Sequence, residues 1–158
     1  MNLLFLTVLA HLILFESVVL VYDYSSTKNF LKDSKEDIYE EDIFVGYRYF
    51  STFANDKVLY PFGFGLSYTD FELVDSSFSC ADGKVTASVT VKNTGDVAGK
   101  KAVMLYCKAP DGTLSKPSRV LAGFTKTGVI PASGSERVTI EAPLRRFASY
   151  DDDGRSGL

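Results

Sequence analysis

The sequence predicts an all-β fold, a sandwich of about five short antiparallel strands occupying its second half. Three observations point there. Val85, Ala87, Val89 and Val91 alternate with Thr86, Ser88, Thr90 and Lys92, which is a strand with one face in a core. Turn chemistry recurs at regular intervals, in Asn93-Thr94-Gly95-Asp96, Pro110-Asp111-Gly112 and Pro131-Ala132-Ser133-Gly134. Twelve Phe, nine Tyr and twelve Gly, with no Trp, favour sheet and turns over a helical bundle. At 158 residues the chain is about one domain long.

Taken in order, residues 1–22 are an apolar leader, MNLLFLTVLAHLILFESVVLVY. It reads as a signal or anchor helix, or equally as a buried or artefactual segment. No Lys or Arg precedes Lys28, and no small-x-small cleavage site follows, which weakens the signal reading. Glu16 and His11 weaken the anchor reading, since an acid near a bilayer centre costs about 2.5 kcal/mol or more. Contact with a membrane is open to the chain only through these residues. A secreted or anchored location follows if the leader is real, and a cytoplasmic one if it is not.

Residues 23–40 form an acidic linker. Six of the ten positions from Asp33 to Asp42 are acidic, a run that marks a solvated stretch and lacks the Asp-x-Asp-x-Asp-Gly spacing of a calcium loop. Residues 41–70 are dense in aromatics and glycine. Pro61, Gly63 and Gly65 fit a tight irregular path around them. Phe62, Phe64 and Tyr68 would each cost roughly 1.5–3 kcal/mol to leave in water, so this stretch must lie against something.

The sandwich is expected over residues 71–150, with strands near Phe71–Phe78, across 85–92, at Lys101–Lys108, at Val120–Lys126 and around Val138, Ile140 and Ala142. Gly123 is a candidate bulge. Val103, Leu105 and Cys107 should face inward, with Met104 and Tyr106 on the opposite face. A polar tail, 151–158, closes the chain.

Charge and residue types exclude much chemistry. Seventeen basic against twenty acidic residues leave a net −3, with no basic excess to neutralise phosphates, so nucleic acid is not an expected partner. His11 is the one histidine and sits in the leader, which excludes a Ser-His-Asp arrangement. One His and two Cys, the cysteines 27 apart, rule out a Cys/His zinc site. Gly63-Phe64-Gly65-Leu66-Ser67 is neither a nucleophile elbow nor a P-loop. Cys80 and Cys107 could form a disulfide in an exported chain, but the inward position of Cys107 favours a buried free thiol. Charge also divides the chain. Through Asp70 there are five basic and ten acidic residues; from Phe71 on there are twelve and ten.

The motifs EDIFVGYRYF, preceded by Tyr39, and LYPFGFGLSYTDF resemble the C-terminal region of glycoside hydrolase family 3 enzymes, the β-glucosidases and β-xylosidases. VTVKNTGDVAGKKAVMLY, APDG, KPSRVLAGFTKT and PASGSERVTIEAPLRRFASYD extend the resemblance to about Asp151. It implies an immunoglobulin-like, fibronectin type III-like sandwich that lacks its last strands, since the family's domains continue beyond the SYD segment.

Family members carry a nucleophilic Asp in a barrel domain and an acid/base Glu in an α/β domain. Neither maps onto a position here, so no catalytic residue, metal ligand or cofactor is expected. The implied role is structural support of those catalytic domains, with Tyr47, Arg48, Tyr49, Phe62, Phe64 and Tyr68 as interdomain packing residues. The alternative is a secreted or anchored sandwich that binds carbohydrate or protein, with exposed aromatics as a flat platform.

Overall fold

The computed structural model describes residues 4–9, 40–62, 64, 67–150 and 156–157. The rest of the leader, the acidic linker before Glu40 and the middle of the tail lie outside these residues. Two three-stranded antiparallel sheets make up the sandwich. One has the order β2 (Phe71–Ala81), β3 (Lys84–Asn93), β6 (Ser135–Pro143). The other is β1 (Leu4–Leu9), β4 (Ala102–Cys107), β5 (Val120–Lys126). A short ribbon joins β7 (Ser149–Tyr150) to β8 (Ser156–Gly157).

The core lies between the sheets. Ala87, Val89, Val91, Val138, Ile140 and Ala142 from one meet Val103, Leu105 and Ala122 from the other, and Ile130 closes one end. The two-residue period of β3 and β6 produces this directly, because alternate side chains fall on one face of the pleat. Between β2 and β3 the chain reverses on Asp82-Gly83, both with positive φ, the pairing that a right-twisted two-residue hairpin requires.

Three expectations need correction. The apolar leader was expected as a helix if it were a signal or anchor. Leu4–Leu9 instead forms a strand, paired with β4 in register from Leu4↔Cys107 to Leu9↔Ala102. The reason is the edge of β4, whose backbone N–H and C=O groups need partners that an extended segment supplies. No helix among the described residues is long and apolar enough to cross a membrane.

Second, β4 is buried on both faces from Ala102 to Tyr106 rather than alternating, and Cys107 is half-buried. Its second face is covered in part by Tyr47, whose ring meets that of Tyr106 edge-on at 6.0 Å. Third, the bulge in β5 falls at Ala122, since Leu121 pairs with Tyr106 and Gly123 with Leu105. Gly123 serves close approach: a Cβ there would sit 2.8 Å from Ile140 Cγ2.

Candidate functional site

The stretch from Glu41 to Asp70 is a strap fastened to the sandwich at both ends. At its start lies α1 (Tyr47–Phe53), a seven-residue helix. Gly46, at the N-cap position just before it, gives no side-chain cap. Aromatic and β-branched residues also make YRYFSTF a poor helix former. Packing holds it instead. Phe50 is 4% exposed. The Leu121 N–H donates to the Tyr47 hydroxyl at 2.9 Å. Ser118 donates through its N–H to Thr52 Oγ1 at 2.9 Å and through its Oγ to the Ser51 carbonyl at 2.8 Å.

The far end is fixed by Asn93, which is fully buried. Its Oδ1 accepts from Thr69 Oγ1 at 2.6 Å and from the Gly95 N–H at 3.1 Å. Its Nδ2 lies within hydrogen-bonding distance of the carbonyls of Val97, Ile130 and Pro131, at 2.8, 3.1 and 3.2 Å. The Thr94 N–H adds a bond to the Asp70 carbonyl at 2.8 Å. Beside this anchor, Lys101 lies over the Phe71 ring, and burial lowers its pKa while the Asp70 charge partly offsets that.

Between the two anchors the strap turns its large apolar side chains outward. Phe53, Leu59, Tyr60, Phe62, Phe64 and Tyr68 are all exposed, Phe64 at 61% and Tyr68 at 98%. Lone exposed apolar residues are ordinary, whereas several gathered on one short segment make it the candidate surface of this chain.

The six residues singled out from the sequence therefore divide. Tyr47, Arg48 and Tyr49 sit half-buried on α1. Tyr47 packs on this chain's own sandwich, and Tyr49 meets Phe50 edge-on at 5.3 Å and Phe53 at a tilt at 5.6 Å. Phe62, Phe64 and Tyr68 lie exposed on the outward part of the strap, where Phe64 meets Tyr60 at 5.1 Å. Sequence reasoning missed Thr52, Ser118, Thr69 and Asn93, which fasten the strap. Asn93-Thr94-Gly95 was legible as a turn, but nothing local says that its amide is buried.

Among the described residues no group of three or more His, Cys, Asp or Glu could hold a metal ion. Both cysteines are free, Cys80 exposed and Cys107 half-buried, with burial raising the Cys107 thiol pKa. Among the described residues a cleft of about 470 Å³ lies where α1, the connection from β4 to β5 and the turn after β6 meet.

Two facing sheets with a strap along their side define the molecule as a fibronectin type III-like sandwich, and a model of the fibronectin type III-like domain matches residues 101–156. The chain is 50% identical over 137 residues to a β-glucosidase of Ruminococcus albus, covering 87% of this chain and 14% of that one. It is 47% identical to β-glucosidase A of Butyrivibrio fibrisolvens, covering 84% and 18%. Among solved structures, the β-glucosidase of Kluyveromyces marxianus in complex with glucose superimposes with a TM-score of 0.78 at 39% identity, over 86% of this chain and 16% of that one. β-Glucosidase 3B of Thermotoga neapolitana gives 0.72 at 39% identity, over 80% and 18%. In sequence and fold the chain thus matches the fibronectin type III-like C-terminal domains of glycoside hydrolase family 3 β-glucosidases, and it spans about a sixth of the relatives it matches.

Proposed function

We propose that this chain supports the catalytic part of a family 3 β-glucosidase, which hydrolyses terminal β-linked glucosides, and performs no catalysis of its own. The observation that carries this reading is the strap. It is clamped by part-buried hydrogen bonds at α1 and by the buried Thr69–Asn93 bond at its far end, yet it holds Phe62, Phe64 and Tyr68 outward. A segment anchored so firmly is pre-organised, so covering its aromatics costs little further ordering. Three large side chains removed from water would supply roughly 1.5–3 kcal/mol each. On this reading those three pack against the catalytic domains, while Tyr47, Arg48 and Tyr49 set the angle of the strap. The aromatic link is then 41–70 and the sandwich is 71–150 completed by strand β1. A flat sugar-stacking platform is less well supported, because the Tyr60 and Phe64 rings are inclined at 38°.

The test is a graft. Deleting the matching region from the Ruminococcus albus enzyme should abolish soluble activity on an aryl β-glucoside, and replacing that region with this chain should restore it. The isolated chain should show no turnover above a heat-killed control. Turnover by the isolated chain, or a deletion that leaves the enzyme unharmed, overturns the proposal.

A further inference from the structure

We propose that the 470 Å³ cleft is a seat for a carboxylate carried on a short apolar stem. Its charged lining is one-sided: Arg48 from α1, Lys116 from the connection between β4 and β5, and Arg146 from the turn after β6, against Asp42 alone. No carboxylate lies within ion-pair distance of these three cations among the described residues. Each is steadied by a backbone carbonyl instead. Arg48 Nη1 donates to Ile43 at 3.4 Å, Lys116 Nζ to Pro110 at 3.4 Å and Arg146 Nη1 to Ala122 at 2.8 Å.

A guanidinium has five N–H donors and an ammonium three, so each cation keeps donors to spare. Three cations lining one concavity against a single carboxylate give it a net positive charge, and low-dielectric walls focus the resulting potential. The walls here include Leu114, Pro117 and Phe147, which are partly or fully buried. That apolar lining selects between anions. Inorganic phosphate gains nothing from it, whereas a carboxylate on methylenes places its charge among the cations and its carbons on the wall.

Glutarate is the probe, followed by backbone amide shifts in the full chain. Saturable shifts confined to Arg48, Lys116, Arg146 and their neighbours are expected, with phosphate binding more weakly and chloride at equal ionic strength producing neither. Lys116→Gln and Arg146→Gln should each weaken glutarate about threefold to fivefold, the scale of partly exposed ion pairs. Lys92→Gln, on β3 and away from the cleft, should change nothing. Should Arg146→Gln disturb the Ala122 carbonyl, Lys116→Gln still reads the seat.

The grafted enzyme separates the sources of the carboxylate. Loss of glutarate binding there assigns the seat to an acidic side chain of the docked catalytic part, and persistence assigns it to a free acid. Shifts reproduced by chloride, phosphate binding as tightly as glutarate, or affinity unchanged in both Gln variants would overturn the proposal. Because glutarate binding is read on the isolated chain, a failed graft leaves this result standing on its own.

Discussion

Replacing Asn93 by Ala should cost about 3–4 kcal/mol, far more than its volume suggests. The side chain is fully buried and joins three parts of the molecule: the strap at Thr69, the turn at Gly95 and Val97, and the segment at Ile130 and Pro131. Two amide hydrogens can satisfy two of the three nearby carbonyls at a time, and Oδ1 accepts two bonds, so four hydrogen bonds vanish together. At about 1 kcal/mol net each, the sum is about 4 kcal/mol. The Ile130 carbonyl keeps its bond from the Gly99 N–H, at 3.0 Å, which trims the penalty. That loss is a large share of the 5–15 kcal/mol by which domains are usually stable.

Thr69→Val removes a single bond and should cost about 1 kcal/mol. Asn93→Asp keeps Oδ1 but turns an acceptor toward three carbonyls, so it should be at least as damaging as Ala despite filling the space. Urea unfolding followed by far-UV circular dichroism reads all three, as midpoint shifts at constant m. Less than 1 kcal/mol for both Asn93 variants would refute the idea that this amide fastens the strap.

Other outcomes follow from the same contacts. Tyr47→Phe leaves the Leu121 N–H without its acceptor and should cost about 1–3 kcal/mol in the same urea assay, a loss that Tyr49→Phe should not reproduce. Gly123→Ala forces a Cβ against Ile140 and should cost about 1–3 kcal/mol, with a double variant carrying Ile140→Ala less unstable than the sum of the two. At pH 8, iodoacetamide followed by mass spectrometry should label Cys80 well before Cys107, because burial raises the Cys107 thiol pKa and lowers its thiolate fraction. The folded chain binds that proton more tightly than the unfolded one. The associated stability is therefore complete below pH 9.0 and declines as pH rises above it; in Cys107→Ala that decline should shrink.

Wherever a strand has one face to bury, the pattern was readable. Val85 to Val91 and Val138 to Ala142 fall where their alternation places them, since a one-residue slip would expose the whole set. The sequence was opaque where tertiary contact overrides local preference. Helix α1 has neither the propensity nor the cap to form alone, and its hydrogen bonds to Ser118 and Leu121 link residues 66 to 74 positions apart. Leu4–Leu9 is an apolar run interrupted only by Thr7, equally fit for helix or strand, and pairing with β4 decides it. Of the strap, the apolar content was legible. Its division into docked Tyr47 and outward Phe64 and Tyr68 was not, because composition does not say which side of a segment meets the protein.

The most direct test of the account substitutes Phe62, Phe64 and Tyr68 together by Ser in the grafted β-glucosidase and follows thermal inactivation. If those rings rest on the catalytic part, the half-life should fall at least about tenfold, the effect of 1.4 kcal/mol on the barrier, while kcat/KM measured before inactivation changes little. An unaltered half-life would mean that the strap covers nothing, and the supporting role assigned to this chain would fall with it.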